Sequence, residues 1–324
     1  MHQLSRNSIT AAAALLLAAG SLAFAQQATG AQEDPVFRSD TRLVVLHATV
    51  VDNKGRLVDN LPRTAFTVLE NGVPQEIKIF RREDVPVSMG LIIDNSGSMR
   101  DKRQKVNTAA LALVKASNRQ DEVFIVNFND EAFLDQSFTS DEKKLEEALT
   151  KIDTRGGTAM RDAVTMSIDY AKEKGKRDKR VLLIVTDGDD NTSSENNTLE
   201  KLVAKAQQQE VLVYSIGLLS EEERRKAKRA QRALNALSTA SGGQAYFPKE
   251  ADEVQALAIQ VAHEIRNQYI IAYSPSVQAL DGSYRRIQVT AKGSNKPVVR
   301  TRSGYYATPN KQAPAKPAAA SSLR

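Results

Sequence analysis

The apolar pattern between about positions 86 and 266 leaves few folds open to this chain. Val87 to Ile93 reads as a strand, interrupted by the small residues Ser88 and Gly90 but closing on Leu91-Ile92-Ile93. A solid apolar run of that kind suits a strand buried on both faces of a parallel sheet. Helical periodicity follows over about 103–117, with Val106, Ala110, Leu113 and Val114 on one side. Val123 to Phe128 is a second strand, and a helix is expected over about 141–152. Gly156-Gly157 then precedes a helix over about 159–173. The series continues with strand Val181 to Val185, helix about 198–209, strand Val211 to Ile216, helix about 220–238, strand Gln244 to Phe247 and helix about 251–266. Strand and helix alternating at this spacing predict an α/β fold: a doubly wound, mostly parallel sheet flanked by helices.

The flanks follow another rule. Leu43 to Leu46 and Thr49 to Val51 are strand-like, with a turn at Asn53-Lys54-Gly55. Phe66 to Leu69 runs into Asn71-Gly72, the strongest hairpin signal in the chain, and Gln75 to Phe80 alternates polar and apolar residues. Beyond 266, Tyr269 to Tyr273, a turn at Asp281-Gly282, Arg285 to Ala291 and Val298 to Arg302 again read as strands. The first flank, about 45 residues long, is too small for a confident core of its own. The two flanks are therefore expected to meet in one small all-β domain. The expected organisation is an N-terminal β section at 41–85, the α/β domain at 86–266, and a C-terminal β section at 267–306 packing with 41–85. A disordered tail rich in Pro, Ala, Lys and Ser follows at 307–324.

The densest chemistry falls in three segments. Asp94-Asn95-Ser96-Gly97-Ser98 follows the first buried strand. Gly156-Gly157-Thr158 opens a helix, and Asp187-Gly188-Asp189-Asp190-Asn191 follows the strand Val181 to Val185, with only Thr186 between. Loops at the carboxyl ends of neighbouring parallel strands meet at a common crevice, so segments far apart in sequence can converge. Taken singly, the polar residues of each segment read equally well as helix caps or an ordinary turn. Three such segments, each correctly placed against a strand, argue instead for one site. The converging donors are all oxygen, which suits a hard cation such as Mg²⁺, with Mn²⁺ or Ca²⁺ as alternatives. Asp94-x-Ser96-x-Ser98 aims alternate side chains at one point, and the glycine pair lets the second loop approach closely before Thr158. A soft-metal site is disfavoured: there is no cysteine, and the only histidines are His2, His47 and His263.

These residues resemble the von Willebrand factor type A domain. Its Asp-x-Ser-x-Ser motif falls on Asp94, Ser96 and Ser98, its threonine on Thr158 and its later aspartate on Asp187. The resemblance implies a metal-ion-dependent adhesion site in which the serines and threonine coordinate the cation directly or nearly so. The aspartates would act largely through bound waters and supporting hydrogen bonds. An open coordination position would take an Asp or Glu from a protein partner, and ligation would be coupled to movement of the last helix, here 251–266. Asp189 is left open as an outer negative charge, and Asp190 is expected to be solvated. Phe66 to Gly72, Tyr273-Ser274-Pro275 and Arg302-Ser303-Gly304-Tyr305 extend the resemblance over about 41–306, to an exported bacterial group best known from acidobacterial genomes.

The first 25 residues read as a secretory signal. Arg6 precedes a largely apolar run from Ile9 to Ala19 that is short for a membrane span, and Ala23-Phe24-Ala25 supplies small residues for cleavage after Ala25. Residues 26–40 read as a flexible lead-in. The mature chain is thus expected to be exported, periplasmic or extracellular, with no transmembrane segment. Its net charge of about +5 is too modest to imply nucleic acid, and no aromatic residues interleave its basic runs. Those runs are Arg224, Arg225, Lys226, Lys228, Arg229 and Arg232, and Lys172, Lys174, Lys176, Arg177, Lys179 and Arg180. They are expected as solvated faces and pre-strand loops, the sharper alternative being contact with an anionic envelope component. With no Gly-x-Ser-x-Gly, no P-loop and no general base beside the acidic cluster, an enzyme is not expected. The expected function is adhesion-type binding; the competing readings are an envelope scaffold without regulated ligand and a metal-dependent hydrolase.

Overall fold

The computed structural model describes residues 43–150, 154–219 and 223–308. The expected signal (1–25), the lead-in (26–40) and residues 309–324 of the expected tail lie outside the described residues. The chain begins with β1 (Val44–Val51), β2 (Phe66–Glu70), β3 (Val73–Gln75) and β4 (Ile77–Arg82). The central series is β5 (Val87–Asp94), α1 (Arg103–Ala116), β6 (Glu122–Phe128), β7 (Ala132–Thr139), α2 (Glu142–Thr150), α3 (Met160–Lys174) and β8 (Lys179–Thr186). It continues through α4 (Leu199–Gln208), β9 (Val211–Gly217), α5 (Arg224–Ser241), β10 (Ala245–Tyr246) and α6 (Val254–Arg266). Four strands close the chain: β11 (Tyr269–Tyr273), β12 (Tyr284–Ala291), β13 (Val298–Arg300) and β14 (Gly304–Tyr306).

The fold class is the one expected. Among the described residues the central sheet has the order β10-β9-β8-β5-β6-β7, and every pairing except β6 with β7 is parallel. All eight residues of β5 are buried, because this strand lies mid-sheet with helices on both faces. Met89, Leu91 and Ile93 pack in the core formed with α1 and α6, while Ile92 packs in the core formed with α3, α4 and α5. The small residues that interrupt β5 have separate reasons. A Cβ on Gly90 would lie 2.4 Å from Phe124 Cζ and 2.6 Å from Leu182 Cδ2, so no side chain fits. Ser88 Oγ donates to Glu122 Oε1 at 2.7 Å and accepts from Arg177 N at 3.0 Å, tying the starts of two strands to the loop before β8.

Two strands fall outside the expected set. Strand β7 runs antiparallel along β6 as an edge strand with register shifts, and it exposes Phe133 and Leu134. With little buried on either side, no period of two marks it in the sequence. Strand β14 lies beyond the stretch expected to end at Arg302, and pairs with β12 through Arg285 and Tyr305. The stretch Gln75 to Phe80 is also not one strand. After a tight hairpin at Asn71 (φ 49°) and Gly72 (φ 83°), β3 stays beside β2 while β4 crosses to the other β sheet.

The flanking strands form two four-stranded sheets, β13-β1-β11-β4 and β14-β12-β2-β3. Strand β1 closes onto β11 antiparallel, with Leu46 opposite Ile271, so the two ends of the chain share a ladder. Val44, Leu46, Ala48 and Val50 alternate into a core shared with Val68, Ile287 and Val289. There Phe66, Phe80 and Tyr269 pack as tilted rings with centroids 5.0–5.6 Å apart. The buried carboxylate of Glu70 accepts hydrogen bonds from Tyr273 at 2.7 Å and Tyr305 at 3.0 Å.

The outer face of the first sheet rests on the α/β domain. Gln268 Nε2 donates to Thr49 Oγ1 at 3.0 Å, and Arg300 meets the buried Glu264 of α6 at 2.9 Å. Lys179, expected in a solvated loop, is instead buried at the start of β8 and donates to the carbonyl of Ile265 at 2.5 Å. Burial pushes its amine down to about 7. Burial, together with the charges of Lys179 and Arg302, holds His47 down to about 3.

Gly90→Ala is expected to lower stability by about 1–3 kcal/mol through overpacking, read as a lower urea midpoint. The unfolded chain keeps the Lys179 proton up to about 10.5, whereas the folded chain releases it from about 7. Folding is therefore favoured more as pH rises through that window. For His47 the unfolded chain takes up a proton below 6.5 that the folded chain refuses down to about 3, so stability falls on acidification through that range. Relative to Lys179→Met, the wild-type urea midpoint should climb between pH 7 and 10.5; a constant difference contradicts this account.

Candidate metal centre

Strand β5 delivers Asp94 to the carboxyl edge of the sheet at its centre, and β8 delivers Asp187 beside it. Asp94 is fully buried, and both of its oxygens are engaged. Oδ1 accepts from the backbone N–H of Ser96 at 2.8 Å, and Oδ2 accepts from the hydroxyl of Thr186 at 2.5 Å. Burial is the largest influence on this carboxyl and pushes it up to about 6; the hydrogen bonds oppose that rise and the nearby Asp187 adds to it. Two carboxylates thus crowd a dry end of the sheet, where positive charge is favoured.

The hydroxyls complete the cluster. Ser96 Oγ and Ser98 Oγ lie 3.2 Å apart, and Ser98 Oγ donates to Asp187 Oδ1 at 2.8 Å. The other Asp187 oxygen accepts from the ammonium of Lys102. Thr158 is buried on the adjoining loop, and a Cβ added to Gly188 would stand 3.4 Å from its Oγ1. The five expected residues therefore gather at one place. Asp94, Ser96, Ser98 and Asp187 are joined by side-chain and backbone hydrogen bonds, while Thr158 is brought in by its main chain.

The loop chemistry explains the gathering. Gly97 N donates to Gly156 O at 3.2 Å, and Arg155 N to Asn95 O at 2.9 Å, locking the first loop to the second. Thr158 N donates to Asn191 Oδ1 at 2.8 Å, locking the second to the third. A Cβ on Gly157 would lie 2.6–2.9 Å from Thr192, Asn191 and Asp130 atoms, which is why this loop approaches as closely as it does. None of Ser96, Ser98 and Thr158 acts as a side-chain helix cap: α1 starts only at Arg103, and the helices here have no side-chain bond at the cap position. The first turn of α3 is instead satisfied by the third loop, with Arg161 N donating to Asp190 Oδ2 at 2.7 Å and Asp162 N to Ser193 Oγ at 3.1 Å. Asp190, expected to be solvated, is thus a buried anchor that also pairs with the Arg161 guanidinium at 3.0 Å. Asp189 faces α5, pairing with Arg229 at 2.6 Å.

Sequence reading missed Thr186, Lys102, Arg103, Asp130 and Asn191. Arg103 is buried near Asp94 and donates to Asn127, which in turn donates to Asp135. The available signals were a hydroxyl closing an apolar strand and cations directly following Asp-x-Ser-x-Ser. Among the described residues no three of His, Asp and Glu group as metal ligands; the donors here are two carboxylates with three hydroxyls. This set fits a hard divalent cation, and the Lys102 ammonium on Asp187 is a positive group already drawn to it.

Residues 89–189 match the model of the von Willebrand factor type A domain. An uncharacterized protein of Synechocystis sp. is 26% identical over 137 residues, which are 41% of this chain and 32% of that protein. The chain thus spans about a third of the length of this curated relative. Among solved structures, a von Willebrand factor type A protein from Catenulispora acidiphila has a TM-score of 0.48 at 13% identity, covering 81% of this chain and 73% of that one. Proximal thread matrix protein 1 from the mussel byssus, solved with a zinc-occupied MIDAS motif, has a TM-score of 0.47 at 14% identity, over 61% of this chain and 50% of that one.

Thr186→Val keeps the shape of a buried side chain but strips Asp94 Oδ2 of its donor. A loss of about 1–3 kcal/mol is expected in urea unfolding without added metal; unchanged stability would show that this bond does not hold the Asp94 loop.

Proposed function

With residues 89–189 constituting a von Willebrand factor type A domain, we propose that this chain is an exported, cation-dependent adhesion module. Asp94, Ser96, Ser98, Thr158 and Asp187 would hold Mg²⁺, or Mn²⁺ or Ca²⁺ in its place, and the partner is a protein that offers an Asp or Glu side chain. The cation supplies concentrated positive charge and a coordination position for that carboxylate. The chain's own residues do the rest. Ser98 and Asp187 hold each other in place, Thr186 and the Ser96 N–H orient Asp94, and the glycine loop carries Thr158 in. Lys102 neutralises Asp187 in this arrangement.

The observation that carries this reading is the convergence of three loops into one all-oxygen cluster that already accepts a cationic group. A hydrolytic role lacks comparable support. His47 lies on β1, near Lys179 at the opposite end of β8 from Asp187, and His263 lies near the end of α6. Export rests on the character of residues 1–25; among the described residues no helix is long and apolar enough to cross a membrane. The end of α6 is held by Glu264–Arg300, by Arg266–Asp84 at 2.8 Å and by Lys179 on the Ile265 carbonyl. Any shift of α6 on ligand binding would have to break or carry these bonds into the β strands.

Titration calorimetry with Mg²⁺ should show binding that Ser96→Ala/Ser98→Ala removes. A pull-down from envelope extract should retain partners with Mg²⁺ and lose them with EDTA or in the double variant. The same partners in every arm would favour a scaffold.

A further inference from the structure

A cavity of about 570 Å³ lies at the other end of the sheet, between the outer face of β1, β4 and β11 and the starts of β8 and β9. Its size is that of a small-molecule site. Val45, Val85, Pro86, Leu212 and Ile270 supply apolar wall. Val45 sits within a paired strand opposite Ala272 and yet is 41% exposed, because its side chain faces this space rather than the sandwich core.

The polar groups are sorted by depth. The lining carboxylates, Glu83, Asp178 and Glu210, are all exposed, at the mouth. Besides the neutral Gln207 and Ser241, the buried polar lining is Lys179, Arg302 and the Nδ1 of the half-buried His47, all nitrogen groups. Each has capacity left over. Lys179 is buried, donates to Ile265 O and forms no ion pair among the described residues. Arg302 is buried, with Nη1 on Glu210 at 2.8 Å and Nη2 on Val45 O at 2.9 Å, but its Nε has no partner among the described residues. His47 Nδ1 is likewise buried and unpartnered. Asp121 and Asp84 act on Lys179 from a distance and Glu210 takes one Arg302 nitrogen, but among the described residues no carboxylate pairs with Lys179 or meets the Arg302 Nε, so donors are left for an anion.

We propose that this cavity is a binding site for a small amphipathic anion, an organic carboxylate with an apolar body. The carboxylate lies among Lys179, Arg302 and His47, and its hydrocarbon part lies along Val45, Val85 and Ile270. Because the walls come from both the β sandwich and the α/β domain, such a ligand bridges them. The site is independent of the cation site, which lies one strand length away along β8.

The test is calorimetry on the full chain with octanoate, against octan-1-ol and octylamine as neutral and cationic probes with the same body. Octanoate should bind at least about tenfold more tightly than either. Lys179→Met should weaken octanoate binding by about tenfold or more; it replaces a buried amine with an apolar side chain of similar length, so the fold is expected to persist. Val45→Trp fills the cavity while leaving every charge in place, and should abolish binding. Circular dichroism and an unchanged Mg²⁺ titration check that both variants are folded. The proposal fails if octanoate does not bind up to about 10 mM, if octylamine binds as well as octanoate, or if both folded variants bind like wild type.

Discussion

Asp94 ends a strand whose every residue is buried, so its charge arrives where water cannot answer it. A carboxylate in such a place must be met by hydrogen bonds or by positive charge. The surrounding chain supplies the first from Thr186 and the Ser96 backbone, and the second in part from Arg103 behind and Lys102 on Asp187. Each of these contacts draws in another loop. The loop after β5 is bonded to Gly156 and Arg155, that loop to Asn191, and the last to the first turn of α3 through Asp190 and Ser193. Hydrogen bonds among the three loops thus gather Asp94, Ser96, Ser98, Thr158 and Asp187 at one end of the sheet.

A second constraint is closure of the chain on itself. Strand β1 precedes the α/β domain, β11 follows it, and their pairing forces both ends of that domain to one side. Tyr273 and Tyr305 on Glu70 bind the two β sheets together, Arg300 on Glu264 binds the first of them to α6, and Lys179 on Ile265 binds α6 to β8. The last helix is thus a shared element, packed against α1 along its length and fastened at its end to the sandwich.

Charge is used internally more than the composition suggests. Within the basic run that leads into β8, Arg177 donates to Gln120 O, Arg180 to Ala171 O and Lys179 to Ile265 O. Arg229 of the other basic run pairs with Asp189. A modest net positive charge therefore says little about what the surface attracts, since part of it stabilises backbone carbonyls and loop carboxylates.

The sequence by itself determined the alternating α/β order, the β character of both flanks and the placement of Asp94, Ser96, Ser98, Thr158 and Asp187 at loops beside buried strands. It could do so because burial on two faces, helical period and turn chemistry are local and leave a mark on each segment. What lacked such a mark was decided in three dimensions. Strand β7 exists because the open edge of β6 offers backbone partners, not because its own residues alternate. The crossing of β4 to the other sheet depends on where β11 lies. The roles of Thr186, Lys102 and Asp190, and the burial of Lys179, arise only when strands and loops remote in the chain are packed side by side. A polar side chain's role is set by what desolvates it and what answers it, and both come from elsewhere in the chain.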